Sequence, residues 1–283
     1  MTDYLHVGRA SDLADSRDRR FYRFLEILPG FLAWLTLALV VLISFKAPVF
    51  ATFFIILFDL YWLVKTVYLS VLIRSSFTKM RQNLKVDWPN RLVAVGKNPR
   101  LLGMTHQDVY NLVILPAYNE PYSIVRESLT AIFRANYPKD KMIVVLAAEA
   151  RAGIHGVELA RQAEAEFGQA FFRFIATVHP SDLPGELAGK GSNEVWAGQQ
   201  VKKQIIDTLN IPYNRIIVSV FDIDTVVPTD FFACLTWHYL TAVDPLHSSF
   251  QPIPVFTNNI WEAPAFARVF AFSTTFWQMI QQA

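Results

Sequence analysis

The stretch VYNLVIL at residues 109–115 decides the fold. It is a short, continuous apolar run, which is typical of a strand buried on both faces of a sheet. Similar runs alternate along the chain with helical patterns. The predicted strands are 109–115, 142–148, 171–178 and 216–221, and the predicted helices are 121–136, 157–167 and 194–209. This alternation predicts an α/β fold with a mostly parallel sheet.

The beginning of the chain has a different pattern. Residues 27–45 carry no charge, and residues 49–73 are apolar apart from Asp59 and Lys65. Each segment is long enough to cross the hydrocarbon core of a membrane as a helix. We therefore predict a transmembrane helical hairpin over residues 27–73. An amphipathic or partly buried helix is the alternative for the second segment, because polar residues inside a membrane are costly.

Basic residues flank the hairpin and predict its orientation. Arginines within residues 17–23 precede it and basic residues within 74–85 follow it, whereas the turn between the two segments holds only Lys46. The positive-inside rule then places both ends in the cytoplasm. We predict a multi-pass protein of the inner cell membrane. Its expected parts are a cytoplasmic tail at 1–26, the hairpin, a basic juxtamembrane linker at 74–108 and a cytoplasmic globular domain at 109–283.

The composition limits the class of protein further. The formal net charge is only +2, so charge does not suggest a nucleic-acid partner. The single cysteine, Cys234, rules out an internal disulfide and fits a reducing compartment. Its apolar neighbours predict a buried, unreactive side chain.

Polar groups follow three of the predicted strands. Residues 116–120 (PAYNE) follow the first strand, Glu149 follows the second, and residues 222–224 (DID) follow the fourth. The carboxyl ends of parallel strands meet at one edge of a sheet, and ligands bind there. Several carboxylates at that edge are tolerated if a cation is bound.

Asp222 and Asp224 are the candidates for metal ligands. They are two residues apart, so an extended backbone projects both carboxylates to the same side. Oxygen ligands of this kind suit Mg²⁺ or Mn²⁺, whose open positions are usually filled by substrate phosphates. The alternative is that both residues only cap a turn before Pro228.

A glycine-rich loop with the sequence GELAGKGSN occupies residues 185–193, just before a predicted helix. A lysine in such a turn at the start of a helix suits phosphate binding. The loop is not a P-loop, because Gly185 and Gly189 are one residue too close and Gly191 follows Lys190 where Ser or Thr is required. A surface loop without a ligand is the alternative.

Together these residues resemble the family 2 glycosyltransferases, in particular the membrane-bound, processive-type branch that includes cellulose and hyaluronan synthases. The matching pieces are PAYNE at 116–120, GKGSN at 189–193 and DID at 222–224, in that order. The resemblance covers roughly residues 111–230 together with the hairpin. It implies a GT-A, Rossmann-like nucleotide-sugar domain after the transmembrane hairpin.

The resemblance also implies roles for individual residues. Tyr118 and Glu120 would lie against the nucleoside, and Glu149 stands where the family usually has an aspartate that contacts the base. Lys190 would lie near the nucleotide or its diphosphate. Asp222 and Asp224 would hold the diphosphate through Mg²⁺ or Mn²⁺.

The end of the chain departs from the family pattern. The acidic general-base motif and the later Gln-x-x-Arg-Trp motif are both missing, so the catalytic base is unknown. Because the chain ends within an apolar helical stretch, we expect a C-terminally truncated fragment of a longer protein. Residues 248–255 are a candidate strand. Residues 263–282 read as an aromatic-rich helix, either on the membrane surface or in the core.

The function that the sequence favours is transfer of a hexosyl group from a nucleotide-sugar, with a UDP-sugar as the expected donor. The acceptor would be a glycan or a lipid at the cytoplasmic membrane face. One alternative is a non-catalytic membrane module that binds a nucleotide-sugar, which the missing base motif supports. Another is a membrane scaffold that binds no nucleotide.

Overall fold

We describe a computed structural model of the chain, which covers residues 7–96, 103–181, 183, 186, 189–257 and 260–281. The chain forms two compact units. The first contains the residues up to Arg81 together with those from Ser273 onward, and the second runs from Gln82 to Phe272.

Two long helices dominate the first unit. Helix α1 spans Ser16–Lys46 and helix α2 spans Pro48–Asn83. They are separated by Ala47 alone, because a residue that precedes proline is disfavoured in the helical conformation and proline is well suited to a first helical turn. Both helices are long and apolar enough to cross a membrane, and none of the residues in their most apolar windows is buried. The prediction of two apolar N-terminal helices is therefore confirmed.

The second unit is built on a four-stranded sheet, and every described strand pair in it is parallel. The spatial order is β3-β2-β1-β4. The strands are β1 Tyr110–Pro116, β2 Met142–Glu149, β3 Arg173–His179 and β4 Ile216–Val220. These bounds confirm the predicted α/β fold with its four parallel strands.

Helices cover both faces of this sheet. The remaining helices are α3 Trp88–Val93, α4 Tyr122–Arg134, α5 Ile154–Phe167, α6 Lys190–Val201, α7 Phe231–Thr241 and α8 Ala265–Gln281. Side chains of α3, α4, α5 and α7 share one apolar core with the sheet. Helix α6 and the π-helical turn that follows it, Lys202–Ile206, pack on the opposite face. Strands β1 and β2 contribute to both cores, which is why consecutive residues at 112–115 and 142–148 are apolar.

The segment predicted as a juxtamembrane linker, 74–108, contains regular structure. Helix α2 continues through its first ten residues as far as Asn83, and α3 lies within the segment. The buried Trp88 ring has its centre 5.5 Å from the centre of the Trp237 ring of α7. The Arg91 guanidinium lies 4.1 Å from the centre of the Trp237 ring. Helix α3 therefore belongs to the core of the second unit.

The prediction of a strand at residues 248–255 is wrong. The structure describes all of these residues, and they form no strand. Pro252 and Pro254 have no N–H group to donate to a β-ladder, which explains the difference. The Phe250 ring instead packs against the core beside His238. The predicted helix at 263–282 is present as α8, and its end is fixed on α2 by a hydrogen bond of 2.6 Å from Ser76 Oγ to the Met279 carbonyl.

Candidate functional site

The strand order creates a topological switch point, where ligand crevices form in open α/β sheets, at the carboxyl end of the sheet. From β1 the chain moves through α4 to β2 and then to β3, and after α6 it returns to place β4 on the other side of β1. Because α4 and α6 lie on opposite faces, the connections diverge between β1 and β4. Open α/β sheets bind ligands at such a switch point.

The loop after β1 is held in shape by Glu120. Its Oε2 atom accepts hydrogen bonds from the backbone N–H groups of Tyr118, at 2.7 Å, and Asn119, at 3.1 Å. The Glu120 carbonyl is also 3.0 Å from His155 Nε2 on α5. The Oε2 atom of Glu120 therefore shapes the loop, and Tyr118 and Asn119 are the residues of the loop that are exposed to solvent.

Glu149, the last residue of β2, is buried, and a neighbour that we did not predict accompanies it. Arg151 donates from Nε to Glu149 Oε2 at 2.8 Å, and its Nη2 contacts the same oxygen. The Arg151 guanidinium also lies 5.3 Å from the centre of the Tyr118 ring. Tyr118, Glu149 and Arg151 thus form one group at the ends of β1 and β2, which we call the tyrosine–arginine group.

Asp222 and Asp224 lie in a turn directly after β4. Ile223 between them is buried, whereas both aspartates are exposed to solvent. Ser128 of α4 donates a buried hydrogen bond of 2.6 Å to the Ile223 carbonyl. The turn is closed by the Thr225 N–H group, which donates to the Asp222 carbonyl at 2.9 Å.

Lys190 at the start of α6 reaches across to this turn. Its ammonium group forms an ion pair with Asp222 Oδ1 and lies 3.8 Å from Glu194 Oε1. Partial burial acts to lower the pKa of Lys190, but the hydrogen bond and negative charge of Asp222, helped by Glu194 and Asp224, leave this pKa raised. Lys190, Asp222 and Asp224 thus form a second group at the same edge, which we call the lysine–aspartate group.

Asn193, one turn into α6, fixes the position of Lys190. It is fully buried, and its Nδ2 atom donates to the Ala147 carbonyl of β2 at 2.6 Å. Ser192 closes the preceding turn, since its hydroxyl donates to the Gly189 carbonyl at 2.7 Å. Of the predicted glycine-rich loop, Gly185, Leu187 and Ala188 are outside the described residues.

The two aspartates fit one type of metal site. No group of three or more His, Cys, Asp or Glu side chains that could hold a metal occurs in the described parts of the chain. Mg²⁺ at phosphate sites is commonly held by one or two carboxylates together with substrate phosphates, and Asp222 and Asp224 match that donor set.

Comparison with known proteins does not assign the chain to a family. No protein-family model matches the chain, and a search of curated proteins finds no significant match. The resemblance to family 2 glycosyltransferases thus stays a prediction, and the geometry of the site is the basis for a proposal.

Sequence reasoning found the residues that carry charge at the strand ends but missed their supports. Arg151 follows Glu149 by two residues, and a basic residue so close to a buried strand-end carboxylate was the available signal. Ser128 and Asn193 had no such signal, because their partners are backbone carbonyls distant in sequence, at Ile223 and Ala147.

Proposed function

We propose that this chain is a membrane-bound glycosyltransferase with a GT-A-type donor domain. It transfers a hexosyl group from a nucleotide-sugar, such as a UDP-sugar, to a glycan or lipid acceptor at the cytoplasmic membrane face. The observation that carries the proposal is the convergence of Lys190, Asp222 and Asp224 beside the switch point between β1 and β4. These residues come from two distant parts of the sequence and match the chemistry of a diphosphate site.

The spacing of the two groups supports a nucleotide ligand. The tyrosine–arginine group follows β1 and β2, and the lysine–aspartate group follows β4. Since β1 lies between the other two strands, the ends of β2 and β4 are about 10 Å apart. We propose that the base lies at the first group and that the diphosphate extends to the second.

The transfer step follows from this arrangement. An acceptor hydroxyl oxygen bonds to the anomeric carbon, its proton passes to a base, and the nucleoside diphosphate departs with the electron pair of the broken C–O bond. The Lys190 ammonium stabilises the negative charge on the departing diphosphate. A Mg²⁺ or Mn²⁺ ion held by Asp222 and Asp224 would supply further charge stabilisation there.

The apolar helices support the membrane part of the proposal. Most of the large apolar side chains of α2 between Val49 and Val71 are exposed, and such a surface marks contact with a membrane or a partner. Basic residues occupy the first turns of α1 and the last turns of α2, and they favour a cytoplasmic location for those two ends.

The decisive experiment compares Asp222→Asn with a matched control. Titration of the detergent-solubilised full chain with UDP, in Mg²⁺ and in EDTA, measures nucleotide binding. We expect the unmodified protein to bind UDP more tightly with Mg²⁺ and the variant to lose this dependence. Asp207→Asn is the control, because Asp207 forms a similar surface pair with Lys202, at 2.7 Å, away from the strand ends.

Metal-dependent binding that persists in Asp222→Asn would contradict the metal role. No binding of UDP or other nucleoside diphosphates by the unmodified chain would contradict the nucleotide site altogether. Saturable UDP binding with no sugar transfer to any acceptor would favour the non-catalytic binding module instead.

A further inference from the structure

Arg151 occupies the space between two residues that the proposed function assigns to the nucleobase. Its guanidinium contacts the Glu149 carboxylate through two nitrogen atoms and lies 5.3 Å from the Tyr118 ring centre. The Glu149 side chain is only 6% exposed, whereas the Arg151 side chain is 34% exposed. A ligand that approaches the carboxyl ends of β1 and β2 from solvent therefore meets Arg151 before it meets Glu149.

The turn that carries Arg151 is constrained by two glycines that follow it in the chain. Arg151 lies in the short 3₁₀ turn Ala150–Ala152. Gly153 ends this turn with a backbone φ of +61°, which residues other than glycine rarely adopt. At Gly156 an added Cβ atom would lie 2.7 Å from the Glu149 carbonyl oxygen, so the start of α5 approaches the end of β2 closely. These two glycines fix the path of the chain around Arg151.

The ion pair changes the chemistry that a nucleobase would encounter. A free carboxylate only accepts hydrogen bonds, but the oxygen of Glu149 that faces Arg151 is already engaged. A guanidinium has five N–H donors and no acceptor. The partly exposed surface of this pair therefore offers donors, which match carbonyl oxygens on a base and do not match amino groups.

We propose that Arg151 selects the nucleobase of the donor by donating to a carbonyl-bearing base edge, as in uracil. Uracil and cytosine differ in that a carbonyl of uracil is replaced by an amino group in cytosine. If cytosine were bound, its amino group would face the N–H donors of Arg151. This costs binding free energy, because both groups are desolvated and neither is paired. This inference rests on the proposed function, since it assigns the base end of that site.

A purely structural role for Arg151 predicts a different result. If Arg151 only neutralises Glu149 so that the carboxylate can be buried, its removal changes stability and weakens UDP and CDP binding equally. Base selection predicts that the ratio of the two dissociation constants changes. The ratio is therefore the informative measurement, and it does not depend on the active fraction of a partly unfolded sample.

The experiment measures dissociation constants of UDP and CDP, with Mg²⁺, on the detergent-solubilised full chain. We expect the unmodified protein to prefer UDP by about tenfold or more, the discrimination that a good guanidinium–base contact provides. Arg151→Met removes the donors, and the ratio should fall to about one, since only the shared contacts remain. Arg151→Lys keeps the charge beside Glu149 but loses the planar fork, so it should fold normally and show a reduced ratio.

Arg161→Met is the matched control, because Arg161 of α5 forms an exposed ion pair with Glu158, at 2.6 Å, and should leave the ratio unchanged. Equal affinity of the unmodified protein for UDP and CDP would overturn the inference and leave the proposed function standing. A ratio of the UDP and CDP dissociation constants that stays unchanged in both Arg151→Met and Arg151→Lys would also overturn the inference and leave the proposed function standing. Absence of binding to either nucleotide would overturn the proposed function and this inference with it.

Discussion

At the residue scale, the pair of Lys190 and Asp222 joins parts of the chain that are 32 positions apart. Both side chains are more than half exposed, so the pair itself contributes little to folding stability. The raised pKa of Lys190 places its stabilising effect below pH 10.5, the ordinary lysine value, and the effect is lost as the pH rises through the raised value. A weak but persistent charge pair of this kind is more informative about ligand binding than about stability.

Lys190→Met should therefore weaken binding of the diphosphate without unfolding the protein. We expect the dissociation constant of UDP to rise about tenfold, because a charge-assisted hydrogen bond to a phosphate is lost, and that of uridine to stay unchanged. Isothermal titration of both ligands measures this. For the unmodified protein, UDP affinity should be flat between about pH 7.5 and 9.5, where lysine stays protonated.

Lys202→Met is the control for this variant, since Lys202 pairs with Asp207 in a similar exposed ion pair. If both lysine variants weaken UDP binding equally, a general loss of positive charge explains the effect and Lys190 has no specific role. Equal weakening of uridine and UDP by Lys190→Met would equally contradict a diphosphate contact.

The sequence predicted charged residues better than their environments. Asp222 and Asp224 were expected on one side of an extended backbone, but they lie in a turn after β4, where both are exposed and Ile223 between them is buried. Glu120 was assigned to the nucleoside, yet one of its oxygens is used by its own loop. The spacing of Arg151 and Glu149 was an available signal for their ion pair, but the contact of Arg151 with the Tyr118 ring joins the ends of two strands and has no signal in the sequence.

At the element scale, α4 supports the turn that carries both aspartates. The Ser128 hydroxyl donates to the Ile223 carbonyl, and the Asn136 side chain donates to Asp230 Oδ1 at 2.6 Å. Both bonds join α4 and the residues after it to the segment that follows β4. The position of the aspartates is therefore set by a helix that carries no predicted site residue.

Ser128→Ala should loosen that turn. The buried Ile223 carbonyl would lose its side-chain donor, and an unsatisfied buried polar group costs about 1–3 kcal/mol. We expect a lower unfolding free energy in urea and weaker Mg²⁺-dependent UDP binding. Thr208→Ala removes an exposed hydroxyl that bonds only to the Lys203 carbonyl, and it should change neither quantity by more than about 0.5 kcal/mol. Unchanged UDP affinity in Ser128→Ala would show that α4 does not control the site.

Element boundaries were predicted well where periodicity was strong. The four strands agree to within two residues, because β1 and β2 contain long apolar runs and β3 and β4 are bounded by turns. Helix α6 begins at Lys190, four residues before its predicted start, because glycines obscured the helical pattern. The π-helical turn Lys202–Ile206 has no sequence signal of its own, since it changes backbone hydrogen bonding without changing which residues are apolar.

At the scale of the whole molecule, the two units have different surfaces. The second buries its apolar residues in two cores around the sheet, whereas α1 and α2 expose theirs along most of their length. At 1.5 Å per residue, the 31 residues of α1 extend about 46 Å, more than the thickness of a hydrocarbon core. Both helices are therefore long and apolar enough to cross a membrane, as the proposed function requires.

Cysteine labelling tests this arrangement, because the chain has one native cysteine that is easily removed. Burial raises the pKa of Cys234 to about 11, so its thiol reacts slowly, and Cys234→Ala should cost little. In that background, Ala47→Cys places a thiol at the single residue between α1 and α2, and Lys85→Cys places one just after α2.

With a membrane-impermeant maleimide on intact cells, we expect Ala47→Cys to be labelled and Lys85→Cys to be labelled only after lysis. This pattern requires both helices to cross the membrane, since Ala47 alone connects them and the residues beyond α2 remain inside. If both positions react only after lysis, α1 and α2 do not form a spanning hairpin. Labelling of Lys85→Cys on intact cells would reverse the orientation and remove the domain from the compartment that holds nucleotide-sugars in this proposal.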